Sequence, residues 1–253
     1  MSSEVHTSVR RPVPDDLFGG RLRGAYLLDL EVVDVHEVAT HVRSITMESS
    51  DLVGFEYKPG QDLMIEFPDG ERSVRRRYTV RRADTVVGLA ELEFELHGGG
   101  GVATRWASEA KIGDRLSAIG PRGSMGVRLE ATAHVFVTDD SAMSATFAML
   151  EALPDDASAT VLLVTPHGPL SRPGPNPAAH VRQLWLDHSE LGMTIPQLDL
   201  TTSLTAYVNG EHHFVRSASG LLAMAGIDEA AISTKSYWRR DQPNAPHGEP
   251  ARD

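Results

Sequence analysis

The feature that most constrains this chain is a change of hydrophobic rhythm near residue 129. Upstream, the runs LLDLEVVDVHEV, HVRSITMES, DLMIEFP, RRYTVRR, ELEFELHG and RLSAIGP each have the length and alternation of one strand. Lys58-Pro59-Gly60 and Phe67-Pro68-Asp69-Gly70 punctuate them as turns. Short strands at this spacing, with one helical piece over Ala103–Ala110, predict a small antiparallel β-barrel. Downstream, strand patterns at His134–Thr138, Thr160–Val164, Val181–Leu186 and Leu204–Val208 alternate with helical patterns at Ser141–Leu153 and His212–Ala225, the latter stopped by Gly226. Strand–helix alternation predicts a parallel α/β sheet. The expected organisation is a flexible arm over 1–24, a β-barrel over 25–129, a nucleotide-binding-like α/β domain over 130–240 and a flexible tail over 241–253. The proline-rich stretch 165–180 is expected to be a loop.

Charge narrows the partners. The 253-residue chain has a net charge of −11, so it has no overall positive field with which to hold nucleic acid. Its positive charge gathers instead in one run, Arg75-Arg76-Arg77-Tyr78-Thr79-Val80-Arg81-Arg82. Such a cluster in an acidic protein suits a small anionic ligand, and equally suits a solvated strand edge. The chain has no cysteine, which excludes disulfides, thiolate metal sites, iron–sulfur clusters and cysteine nucleophiles. No apolar run approaches the ~20 residues of a membrane span. The opening MSSEVHTSVRRPVPDD lacks the apolar stretch of an export signal, so a cytoplasmic location is expected.

Two segments carry chemistry. On a strand, residues two apart share a face, so Arg76 and Tyr78 project together and Thr79 projects oppositely. Arg76 suits a phosphate, Tyr78 the flat face of a flavin ring, and Thr79 or its backbone the ring's polar edge. The second segment is His97-Gly98-Gly99-Gly100-Gly101-Val102-Ala103-Thr104-Arg105-Trp106. Its glycines allow close backbone approach, and the helix start at Val102, Ala103 and Thr104 offers unpaired N–H groups to a pyrophosphate. His97 either donates to the ligand or simply ends its strand. Together these segments fit a flavin dinucleotide. Hydrolase chemistry fits poorly: there is no HExxH and no G-x-S-x-G elbow, and His212-His213 are adjacent, so a helix points them about 100° apart. No metal site is expected.

Over roughly 27–240 the chain resembles the siderophore-interacting protein family, ferric-siderophore reductases with an FAD-binding barrel. The family's arginine-x-tyrosine-threonine box appears at Arg76–Thr79. Its histidine-glycine-rich segment appears at His97–Trp106, its glycine-proline-arginine-glycine turn at Gly120–Gly123, and its closing aromatic pair at Tyr237-Trp238. The resemblance implies a ferredoxin reductase-like fold with noncovalent FAD in the cleft between barrel and α/β domain. It implies that Tyr237 or Trp238 covers the second ring face. It also implies electron donation by NADPH or NADH and reduction of an iron(III) chelate, with no protein acid or base needed for outer-sphere electron transfer.

The departures lie in the second half. Thr138 stands where the family has glycine, Ser144 where it has proline, and Ser236 replaces the glycine before the aromatic pair. The alanine-glycine-glutamate segment that faces the nicotinamide in the family reads Val208-Asn209-Gly210-Glu211, followed by His212-His213. Larger residues beside the nicotinamide motivate an alternative. In it, the flavoprotein is reused in specialised-metabolite biosynthesis, with FAD shaping a substrate pocket or performing a non-iron reaction and with NADPH reduction weakened or lost. Asp139, Asp140, Glu211 and His212 are then the acid–base groups by position.

Overall fold

A computed structural model describes residues 10–14, 24–96, 100–170, 180–199 and 204–240. They form two compact units, Met1–Ser124 and Met125–Asp253. The expected tail lies outside the described residues, as does most of the expected arm.

In the first unit, β2 (Tyr26–Ala39), β3 (Val42–Glu48), β4 (Asp62–Asp69), β5 (Arg72–Asp84), β6 (Leu89–Glu95) and β7 (Arg115–Arg122) follow the six predicted runs. They pair antiparallel in the order β2-β3-β6-β5-β4-β7, and β7 returns to pair with β2, closing the barrel. Closure leaves no open edge in the ring. The alternation seen in the sequence puts Leu28, Leu30, Ile45, Leu63, Ile65 and Phe67 inside, each almost fully buried. Helix α1 (Val102–Glu109) packs on this core with Ala103 and Ala107. Arg43 fastens the helix's far end by donating to the carbonyls of Ala107 (2.7 Å), Ser108 and Ala110 (3.3 Å), where a cation also suits the negative end of the helix dipole.

Part of the expected arm is ordered. β1 (Arg11–Pro12) pairs with Tyr26 and Leu27 of β2, and Val13 is buried against Ala25 and Ile119. Arg11 also pairs with Asp29 at 2.6 Å. A single apolar residue next to two prolines gives no strand period, which is why the sequence pattern does not reveal it.

The second unit is a five-stranded parallel sheet in the order β10-β9-β8-β11-β12. Four of these strands, β8 (Ala133–Asp139), β9 (Ser158–Val164), β10 (His180–Leu186) and β11 (Thr205–Glu211), overlap the predicted ones. β12 (Ile232–Trp238) was not anticipated: its polar ISTKSYW sequence lacks the apolar run of a central parallel strand, and an edge position tolerates that. Helix α2 (Met143–Glu151) shares a core with Phe136, Val161 and Tyr207. Helix α4 (His212–Met224) and the short α3 (Leu191–Thr194) cover the other face through Val137, Val208 and Phe214. The predicted helix from Ser141 begins instead as a 3₁₀ turn, Asp140–Ala142. Residues 125–129, expected with the barrel, pack here: Met125 and Val127 join the α2 core, and the Arg128 N–H donates to Tyr207 Oη at 2.8 Å. Among the described residues, no helix is long and apolar enough to cross a membrane.

Candidate functional site

The arginine run is β5, and its pairing separates structural from available charge. Arg77 donates to both carboxylate oxygens of fully buried Asp62, at 2.9 and 2.5 Å. Arg75 pairs with Glu66 at 3.1 Å, Arg82 with Glu91 at 4.0 Å, and buried Arg81 faces Glu93 at 3.8 Å. Arg81 is the extra residue at a β-bulge between Val80 and Arg82, which turns its side chain to this acid. Arg76 differs. It is half-buried, and its guanidinium donates to the Arg75 carbonyl at 2.9 Å. Among the described residues it has no carboxylate within ion-pair distance, so its charge is left for an anion.

Register confirms the expected faces. Arg76 lies opposite Ile65 and Tyr78 opposite Leu63, on the core-facing side, while buried Thr79 lies opposite Asp62 on the other. Tyr78 is half-buried, its ring 4.2 Å from that of Phe94 and 5.8 Å from that of Phe67. Phe67 and Phe94 in turn meet Trp106 of α1 at 5.4 and 5.7 Å. The aromatic cluster thus ties the Arg76–Tyr78 strand to the first helix. Burial pushes the Tyr78 phenol well up, against a smaller opposing effect of the Arg76 charge, so the ring stays neutral. Trp106 was quoted in the sequence motif without a role; its four-residue distance from the helix start is the signal that it faces the barrel.

The N-terminus of α1 is the complementary element. Gly101 is its N-cap and supplies no side chain, so the first-turn N–H groups at Val102 and Ala103 have no side-chain cap. Arg105 steadies the approach by donating to the Gly100 carbonyl and pairing with Asp69 at 3.4 Å. His97 lies outside the described residues, with Gly98 and Gly99. An uncapped helix start, an arginine without a carboxylate and a part-exposed aromatic fit the pyrophosphate and ring of a flavin dinucleotide.

The second unit presents the opposite situation. At the C-terminal ends of β8 and β11, where the strand order reverses, the helix starts are already capped by the chain's own acids. Asp139 accepts from the N–H and hydroxyl of Ser141 (3.0 and 2.6 Å) and from the Glu211 N–H (2.7 Å). Its carboxylate stands over Gly210, where a Cβ would meet Asp139 Oδ2 at 2.4 Å and φ is +149°. Burial pushes Asp139 up to about 6, against the hydrogen bonds that oppose it. Glu211 caps α4 through the N–H groups of His213 (2.6 Å) and Phe214 (3.1 Å) and accepts from the Arg240 N–H (3.1 Å). Burial works to raise Glu211, but these backbone hydrogen bonds prevail and hold it below the usual carboxylate range. Both acids therefore have structural employment, which the sequence reading did not foresee. His212 is shifted down by burial and then by the Arg239 charge, its Nε2 2.7 Å from that guanidinium. Half-buried Tyr237 and exposed Trp238 sit at the end of β12, with Lys235 Nζ 4.8 Å from the Tyr237 ring centroid. Among the described residues, no three His, Asp or Glu side chains group to hold a metal ion.

Comparison with known proteins agrees with both units. The family model described as siderophore-interacting FAD-binding domain matches residues 57–125, and that for siderophore-interacting protein matches 131–241. Ferric vibriobactin reductase ViuB of Vibrio cholerae is 28% identical over 249 residues, covering 83% of this chain and 89% of its own. NADPH-dependent ferric-chelate reductase of Escherichia coli is 29% identical over 185 residues, covering 69% and 70%. A siderophore utilization protein from T. fusca superposes with a TM-score of 0.75 at 24% identity, covering 89% of this chain and 97% of that one.

Proposed function

This chain belongs to the siderophore-interacting protein family, and we propose that it is an FAD-dependent oxidoreductase that passes electrons from a nicotinamide dinucleotide to a ferric chelate. The observation that carries the reading is Arg76, which among the described residues has no carboxylate within ion-pair distance, on the same face as Tyr78 and joined through the aromatic cluster to a helix start without a side-chain cap. Arg76 and the N–H groups at 102–104 hold the phosphates. Tyr78 and Thr79 hold the ring, and the family resemblance alone adds His97 and Tyr237 or Trp238 to the flavin-binding residues. FAD, when bound, supplies the conversion of a hydride pair into single electrons.

The chain's own contribution is binding and orientation. Tyr78, neutral and fixed by Phe94 and Phe67, offers a flat apolar surface without titrating. The short contact of Arg77 to Asp62 and the longer one of Arg81 to Glu93 keep their charges from competing with Arg76 for the anion. One electron suffices for release, because hard oxygen ligands hold iron(III) far better than iron(II). The substrate is a small molecule, and the acidic net charge supports a partner other than nucleic acid. A cytoplasmic location, where a nicotinamide donor is at hand, completes the proposal.

The test is anaerobic addition of NADPH, then NADH, to the yellow protein while its visible band is followed, then addition of a ferric chelate. Bleaching and recolouring support the proposal. A flavin that neither donor bleaches rejects it and favours an organic substrate. Arg76→Ala is expected to weaken FAD binding about 10- to 100-fold, the worth of a charge-assisted bond to phosphate; unchanged FAD affinity would remove Arg76 from the site.

A further inference from the structure

Two of the residues at which this chain departs from the family pattern, His212 and Ser236, meet in the structure. Ser236 Oγ lies 3.5 Å from His212 Nδ1, and Arg239 Nη2 lies 2.7 Å from His212 Nε2. A guanidinium only donates, so Nε2 is the acceptor and the ring is neutral, with its proton on Nδ1 toward Ser236. The contact bears on the end of β12. Register shifts there: Gly210 faces Ser236 and Glu211 faces Trp238, which leaves Tyr237 as the extra residue of a bulge. A bulge interrupts the ladder, so the strand end beyond it depends on side chains from β11 and α4. Glu211 accepts from the Arg240 N–H at 3.1 Å, and His212 accepts from Arg239. The aromatic pair Tyr237-Trp238 lies between Ser236 and these two fastenings.

We infer that His212 is a positioning residue that, when neutral, latches the end of β12 and its aromatic pair to the start of α4, and that its protonation opens the latch. A protonated imidazole has no lone pair at Nε2 and carries the same sign of charge as Arg239, so an accepted bond becomes a repulsion. The groups facing the ring are Arg239 from the end of β12, His213 and Arg216 from α4, and Glu211 from β11. Arg239 and Arg216 oppose a further positive charge, as does His213 once protonated. Glu211 favours one, but its carboxylate is already engaged by the N–H groups of His213, Phe214 and Arg240. His212 is also the first residue of α4, where the positive end of the helix dipole opposes protonation. Burial and then the Arg239 charge lower its affinity for a proton. The latch is therefore shut at neutral pH and opens on the acid side of the ordinary histidine range. Its purpose rests on the proposed function: the family resemblance puts Tyr237 or Trp238 among the flavin-binding residues, so an open latch holds the flavin less firmly.

Three proteins test it: wild type, His212→Gln, whose carbonyl still accepts from Arg239 but does not titrate, and His212→Leu, which accepts nothing. In a Trp106→Phe/Trp185→Phe background Trp238 is the only tryptophan, and acrylamide quenching reads its exposure. Between about pH 8 and about pH 5.5, quenching is expected to rise about two- to threefold in wild type, to stay low in the glutamine variant and to be high throughout in the leucine variant. Should that background fold poorly, hydrogen exchange of residues 236–240 in the tryptophan-intact proteins reads the same opening. Asp139 titrates in the same interval and is present in every protein, so a change common to all three belongs to it. Wild-type quenching that ignores pH, a glutamine variant that follows wild type, or a leucine variant as protected as wild type at the higher pH would each overturn the inference. Fluorescence titration of the tryptophan-intact apoproteins with FAD is expected to show affinity falling with pH in wild type and holding in the glutamine variant. The same pH dependence in both would overturn the link from latch to flavin. A latch that opens in a protein binding no FAD at either pH would count against the proposed function and leave the role of His212 standing.

Discussion

Replacing Asp139 by asparagine is expected to change how stability depends on pH, with little change in shape. Burial holds the Asp139 carboxyl at about 6 against an ordinary 3.8, and the nearby charge of Asp140 adds to the effect. The unfolded chain therefore releases this proton near pH 4 and the folded protein near pH 6. Between those values the folded state holds more protons, so stability falls as pH rises; above about 6 the penalty is constant, and below about 4 it is absent. The interval amounts to about 3 kcal/mol at neutral pH. Asparagine stays neutral and still accepts one hydrogen bond, so its loss of contacts is nearly independent of pH. The stability of Asp139→Asn relative to wild type should therefore rise by about 3 kcal/mol between pH 4 and pH 7. Urea unfolding at several pH values measures it. In a Trp106→Phe background only Trp185 and Trp238, both in the second unit, report the transition. A difference between the two proteins that stays flat across this range would refute the reasoning, because no carboxyl at this position would then be held protonated by its burial.

Gly210→Ala is expected to destabilise the second unit by about 2–4 kcal/mol, since it combines an unfavourable φ with a Cβ driven into the Asp139 carboxylate. A melting temperature within a degree of wild type would show that the β8 end yields freely. Arg77→Met should destabilise the barrel by about 3–5 kcal/mol by removing the guanidinium that donates to both oxygens of the buried Asp62 carboxylate, which keeps the half-buried Arg122 as a neighbour. The double variant Arg77→Met/Asp62→Leu should recover most of that loss in denaturant unfolding, and failure to recover would mean that the pair does more than neutralise itself.

Much of the fold follows from local pattern alone. Six alternating runs fall on the six barrel strands because each carries a wet and a dry face, and three of the later apolar runs, dry on both faces, fall on the inner parallel strands β8, β9 and β11, the fourth falling on the edge strand β10. The arginine–tyrosine box and the glycine-rich helix start are legible because their chemistry is carried by residue type and short spacing. Three things needed the tertiary structure. Which arginine is available depends on where Asp62, Glu66, Glu91 and Glu93 arrive from other strands, and chain pattern does not encode those pairings. Asp139 and Glu211 cap their helix starts locally, but the bond from the Glu211 N–H that sets one acid over the other's strand forms only when β8 and β11, over 70 residues apart in sequence, lie side by side. Asn209 is one amide before a glycine in the sequence, and only the assembled sheet buries it between Thr138 and Lys235, with no hydrogen-bond partner for its amide among the described residues. Local periodicity determines which face of an element is dry, whereas the partner of a polar group is set by contacts distant in sequence, which only the closed fold brings together.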